Sequence, residues 1–138
     1  MTYWVFTVGL RHLAPPEDWL AAWQHHVNEM WFPDWKRPVS VSRGDRALIY
    51  GSQRRGFIAA VEVLSDEPER NAADDHFIWK LRYRLLVSKA ADRNVASPEA
   101  AGIDPPNRVV RGPHTEISED DYHRGVAVML EVAARTAA

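Results

Sequence analysis

The chain has no cysteine. It therefore has no disulfide framework, no thiolate nucleophile and no cysteine-type zinc site, which fits a reducing compartment. No segment approaches the roughly 18 uninterrupted apolar residues of a membrane span, so no membrane association is expected. The first ten residues lack a basic region, and Arg11 cuts their apolar run short, which does not read as a secretory signal. Together these features point to the cytoplasm. Lysine is scarce, since 14 of the 17 basic residues are arginine, and the formal net charge is -2. A protein that grips nucleic acid through a broad cationic face needs many clustered cations, so any such contact here must be local. A glycine-rich phosphate loop, an internal repeat and a low-complexity tract are all missing as well.

What is present fits one domain, residues 1–138. A chain of this length buries about two-thirds of its unfolded surface in a single core, and 46% apolar with 26% charged residues is an ordinary globular composition. Residues 2–8 alternate and are β-branched or aromatic, which predicts a strand turning at Gly9. Pro15-Pro16-Glu17-Asp18 predicts a helix start running to about residue 28, with Trp19, Leu20, Trp23 and Val27 on one face. Residues 29–38 predict an irregular aromatic loop bounded by Pro33 and Pro38. Residues 47–50 and 56–64 read as a hairpin, 66–75 as a polar linker, and 77–85 as a strand with one buried face. Residues 89–107 read as a long connection with a short helix at 98–101. Ser118 followed by Asp121 opens a terminal helix that carries Tyr122, Val126, Met129, Leu130 and Ala133 on one face. Strands that do not interleave regularly with helices favour an α+β fold.

Three stretches together resemble the EVE domain family, a PUA-like branch related to YTH and ASCH domains. They are Tyr3-Trp4-Val5-Phe6, then Gly44-Asp45-Arg46-Ala47-Leu48-Ile49-Tyr50-Gly51-Ser52, then Gly56-Phe57-Ile58-Ala59-Ala60-Val61-Glu62-Val63. The likeness extends more weakly through residues 77–85 and 108–112. It implies a PUA-like mixed β-barrel of about five to six strands flanked by helices, working as a nucleic-acid-binding module for RNA or DNA. In such a module an aromatic cage recognises one modified base. The chain departs from the family at Thr7-Val8-Gly9-Leu10, where Lys-Ser-Glu-Pro is common, and at Gly51, where histidine is usual. Gly44-Asp45 itself reads as a tight turn, because glycine tolerates positive φ and an aspartate oxygen can bond nearby amides.

The candidate site follows from aromatic surplus as well as resemblance. Six tryptophans include Trp19 and Trp23 on a helix face and Trp4 and Trp79 on strands, where core packing is the ordinary account. Trp31 and Trp35 lie in the expected loop, where ligand contact is common. The base pocket is expected from Trp31, Phe32, Trp35, Tyr50, Gly51, Ser52, Gly9, Leu10 and Trp79, with phosphates on Arg54, Arg55, Arg108 and Arg111. A stacked base is worth about 1–3 kcal/mol. A small-molecule sensor using the same cavity is the alternative, and an RNA-processing enzyme of ASCH type a further one. Catalysis is not expected. His25 and His26 point about 100° apart on a helix, His76 and His114 lack a nucleophile at a recognisable spacing, and Glu62 reads as a solvent-facing strand residue. No metal or cofactor is implied. The partner expected is nucleic acid carrying a modified base; the sequence leaves the oligomeric state open, with a monomer favoured.

Overall fold

The computed structural model describes residues 1–8, 28–51, 55–88, 96–103 and 112–137, the last six as backbone. Seven strands are described: β1 (Tyr3–Val8), β2 (Glu29–Phe32), β3 (Arg46–Gly51), β4 (Gly56–Val63), β5 (Glu69–Arg70), β6 (Trp79–Ser88) and β7 (His114–Ile117), followed by helix α1 (Glu119–Ala137). They form one mixed sheet in the order β2-β6-β4-β3-β1-β7, and the two-residue β5 pairs with β6. Only β1 and β3 run parallel. Parallel neighbours need a long crossover, and residues 9–45 lie between these two strands in the sequence.

The sheet curls. Phe32 on β2 meets His114 on β7 with ring centroids 5.7 Å apart, and meets Phe6 on β1 at 5.5 Å. β2 and β7 are the two ends of the strand order, so their side chains can touch only if the sheet closes most of the way round. The result is a half-barrel with two apolar layers. Inside lie Phe6, Phe32, Met30, Ile49, Val61, Leu81 and Tyr83. Outside, Val5, Leu48, Tyr50, Phe57 and Ala60 meet Ala96, Ala101, Ile103 and the α1 residues Tyr122 and Met129. This explains why β4 reads as a continuous apolar run: its two faces serve different layers. β6 has only its inner face covered along much of its length, and it keeps strict alternation.

Asp45 ties the start of the sheet together. Its Oδ2 accepts from the Ser42 amide at 3.0 Å and from the Trp4 indole at 3.1 Å, and its Oδ1 accepts from the Thr2 amide at 3.0 Å. Gly44 beside it has φ +89°, a conformation that costs other residues about 1–2 kcal/mol. At the far end the Asp121 amide donates to Ser118 Oγ at 3.0 Å, an N-cap worth about 1 kcal/mol. Between them Gly125 lets α1 approach the sheet, because a Cβ there would stand 2.4 Å from Leu48 Cδ1.

Several expectations change. The segment expected as an irregular loop contains β2, then a 3-10 helix at Asp34–Lys36. Met30 and Phe32 alternate into the inner core, a period too short to stand out before Pro33. The expected linker holds β5, and β7 completes the sheet beside β1. Residues 98–101 form a turn, with the Ala101 amide donating to the Ser97 carbonyl at 3.2 Å, rather than a helix. Leu130 is 51% exposed and does not join the buried face of α1. The helix expected from Pro15 lies, apart from Asn28, outside the described residues.

Candidate nucleic-acid interface

The expected site residues divide into separate places. Phe32 and Trp79 are partners across β2 and β6 and both face the barrel interior. Trp31 points to the opposite face, where its indole donates to Glu29 Oε1 at 3.0 Å and Lys80 is its partner on β6. Trp35, in the 3-10 helix, is 72% exposed. Tyr50 and Gly51 lie at the end of β3, two strands away from β6 in the sheet. The Tyr50 ring is buried in the outer layer against Phe57. Burial raises its pKa, the Glu99 carboxylate adds to this, and Arg55 opposes it. Trp31 on β2 and Tyr50 on β3 are separated by β6 and β4 in the sheet. Arg55 occupies the turn into β4 with φ 54°, close enough to Tyr50 to act on its phenol. Gly9, Leu10, Ser52, Arg54, Arg108 and Arg111 lie outside the described residues.

A cationic cluster gathers instead around Trp79. The Arg37 guanidinium carbon sits 4.3 Å from the Trp79 ring centroid and that of Arg70 at 5.3 Å. Arg70 reaches the ring because it is the β5 partner of Trp79, while Arg37 follows directly on the 3-10 helix. Most other described cations are neutralised. Arg43 pairs with Asp66 at 3.2 Å, Lys80 with Glu29 at 3.6 Å, Arg82 with Glu69 at 2.8 Å, Arg84 with Glu62 at 2.7 Å, and Arg124 with Asp121. Glu62 is thus committed to a cross-strand pair. Lys36, Arg37 and Arg70 have no carboxylate partner among the described residues. Cations held over an aromatic face keep their charge and their donors free for an anion.

Beneath this cluster two buried nitrogens lack a hydrogen-bond partner, Trp79 Nε1 and His114 Nε2. His114 is wedged edge-on against Trp4 and Phe32, both at 5.7 Å. Burial lowers its pKa, and the Lys36 ammonium lowers it further. The imidazole is therefore neutral at physiological pH, and among the described residues the positive charge at this face comes from Lys36, Arg37 and Arg70. Beside Trp79 a cleft of about 380 Å³ is lined by Arg70, Asn71, Ala72, Asp74, Asp75 and Ile78.

The geometry is that of a known fold. The Mmi1 YTH domain, solved in complex with RNA, aligns over 97% of this chain and 80% of its own, with TM-score 0.62 and 9% identity. The chain shares the fold of a YTH domain. An NMR structure of a protein from Rhodopseudomonas palustris aligns over 95% of this chain and 94% of its own, with TM-score 0.59 and 13% identity. A hypothetical protein from Leishmania major aligns over 95% and 96%, with TM-score 0.60 and 14% identity. No family model matches the chain, and no curated protein matches it.

Lys36, Arg37 and Arg70 escaped the reading of the sequence. Trp35-Lys36-Arg37 did carry a visible signal, an aromatic residue followed by two cations. Arg70 had none, because only pairing of β5 with β6 carries it from a polar linker to Trp79.

Proposed function

We propose that the protein binds single-stranded RNA at the face built by the 3-10 helix and the start of β6. Lys36 and Arg37 take phosphates, and Trp35 takes a base on its exposed ring. The observation that carries this reading is the collection of cations around Trp79 that have no carboxylate partner among the described residues, next to a tryptophan that is 72% exposed. Elsewhere in a chain of net charge -2 acids answer most described cations. The likeness to a fold that binds RNA in the Mmi1 complex supports the same choice. The finer part of the proposal is that the stacked base is modified. A methyl group enlarges the apolar area laid on Trp35 at about 25 cal/mol per Å², and the EVE resemblance points the same way. The protein acts as a binder rather than a catalyst. His114, the titratable ring at this face, is packed against Trp4 and Phe32 instead of a nucleophile.

The test is fluorescence anisotropy of a labelled nine-nucleotide RNA between 50 and 200 mM salt, with single-stranded DNA as comparison. Each phosphate contact contributes about 0.7 to the slope of log K against log salt. Lys36→Ala with Arg37→Ala is expected to flatten the slope by about 1.4, and an unchanged slope would refute the interface. A methylated base that binds no better than its parent would remove the modified-base part. The cleft beside Trp79 supports a second reading, a small-molecule sensor. That reading requires a ligand whose affinity is indifferent to salt and to the double substitution.

A further inference from the structure

We propose that the cleft beside Trp79 is a guanine-reading subsite. This rests on the RNA-binding reading and names the base taken next to the one on Trp35. The polar groups around the cleft sort themselves by what they already hold. Asn71 is buried and committed: its amide nitrogen donates to the Phe77 carbonyl at 2.7 Å, and its oxygen accepts from the Ala73 amide at 3.2 Å. Asp74 Oδ1 accepts from the amides of His76 and Phe77 at 2.7 and 2.8 Å. These two residues build the wall. Among the described residues the Asp75 carboxylate has no hydrogen bond or ion pair, and the Arg70 guanidinium meets only the Trp79 ring. Ala72 and Ile78 supply apolar surface.

A cleft that offers one free carboxylate and one free guanidinium asks for a ligand with adjacent donors on one edge and adjacent acceptors on another. Guanine has that pattern. Its N1–H and N2–H₂ donate to a carboxylate, and its O6 and N7 accept the fork of an arginine. Adenine and cytosine each present a donor beside an acceptor on the pairing edge, and uracil a single donor between two acceptors, so each leaves one oxygen of Asp75 unmatched. Arg70 is also oriented in advance by Trp79, which lowers the ordering cost of a planar contact. A volume of about 380 Å³ falls within the ordinary range of small-ligand pockets, roughly 300–1,000 Å³.

The experiment measures binding of nine-nucleotide oligouridine and of the same oligomer with its central base changed to G, A or C. The G oligomer is expected to bind about tenfold tighter than the others, the discrimination of a good bidentate contact. Asp75→Asn is expected to erase that preference while binding plain oligouridine as the wild type does, which also shows that the variant is folded. Arg70→Lys, which keeps the charge but not the planar fork, should lose most of the preference. If all oligomers bind with equal affinity, or if Asp75→Asn keeps the full preference, the guanine subsite is overturned and the RNA interface stands. If no oligomer binds at 50 mM salt, both are overturned.

Discussion

Replacing Asp45 with alanine probes the part of the fold that the functional face depends on, and its cost can be worked from contacts. The carboxylate is 5% exposed and accepts three hydrogen bonds, from the Thr2 and Ser42 amides and the Trp4 indole. Hydrogen bonds to a charged group contribute about 1.5–3 kcal/mol each. The two amide bonds are only half-buried, so water recovers part of their loss. The Trp4 indole is buried, and leaving its N–H without a partner costs about 1–3 kcal/mol. The three together give a loss of about 3–5 kcal/mol. Urea unfolding followed by tryptophan fluorescence reads this directly. With a denaturant slope near 2 kcal/mol per M, the midpoint falls by about 2 M. Asp45→Asn keeps one acceptor and turns a donor toward its neighbours, so it should fall between the variant and the wild type. A loss below about 1 kcal/mol for Asp45→Ala would refute the argument, because it would mean that water or a shift of Trp4 satisfies the same donors.

Other expectations follow from single contacts. Gly125→Ala should destabilise by about 1–3 kcal/mol despite the better helix propensity of alanine, because the methyl meets fully buried Leu48; a more stable variant in urea melts would show that Leu48 repacks freely. His114 has a lowered pKa in the folded state, so the unfolded chain binds its proton more readily. Its contribution to stability is complete above the ordinary imidazole pKa of about 6.5 and is lost as pH falls below it. His114→Phe should therefore lose less stability than the wild type between pH 7.5 and 5, and equal losses would count against the assignment. Trp35→Ala should leave the urea midpoint unchanged and weaken RNA binding by roughly 1–3 kcal/mol. Trp79→Leu should weaken RNA binding by releasing Arg37 and Arg70, and intact affinity in this variant would show that the ring does not position them.

The alternation of residues 77–85 was enough to locate β6 and its buried face, and the capping pair Ser118 and Asp121 was enough to start α1. Gly44 and Asp45 were legible as a turn because both residues act locally, one through φ and one through a short acceptor. β2 was hidden, since four residues broken by Pro33 do not establish a period. The division of the tryptophans was hidden too. Trp31 and Phe32 are neighbours in the chain, yet strand pleating sends one to the barrel interior and the other to the outside. The charge pairs follow the same logic, because Arg82 finds Glu69, and Arg84 finds Glu62, only across strand pairings that join distant residues.

By itself, then, the sequence determined local matters: the turn at Gly44, the alternation of the main strands, the cap of the last helix and an arginine-rich surface with little net charge. Which cations stay free was decided only by the tertiary structure. Strand register pairs Lys80, Arg82 and Arg84 with acids and sets Arg70 over Trp79 beside Arg37. Such a choice depends on which residues lie opposite each other across β2, β5 and β6, and hydrogen-bonded register is a property of the closed sheet rather than of any one segment.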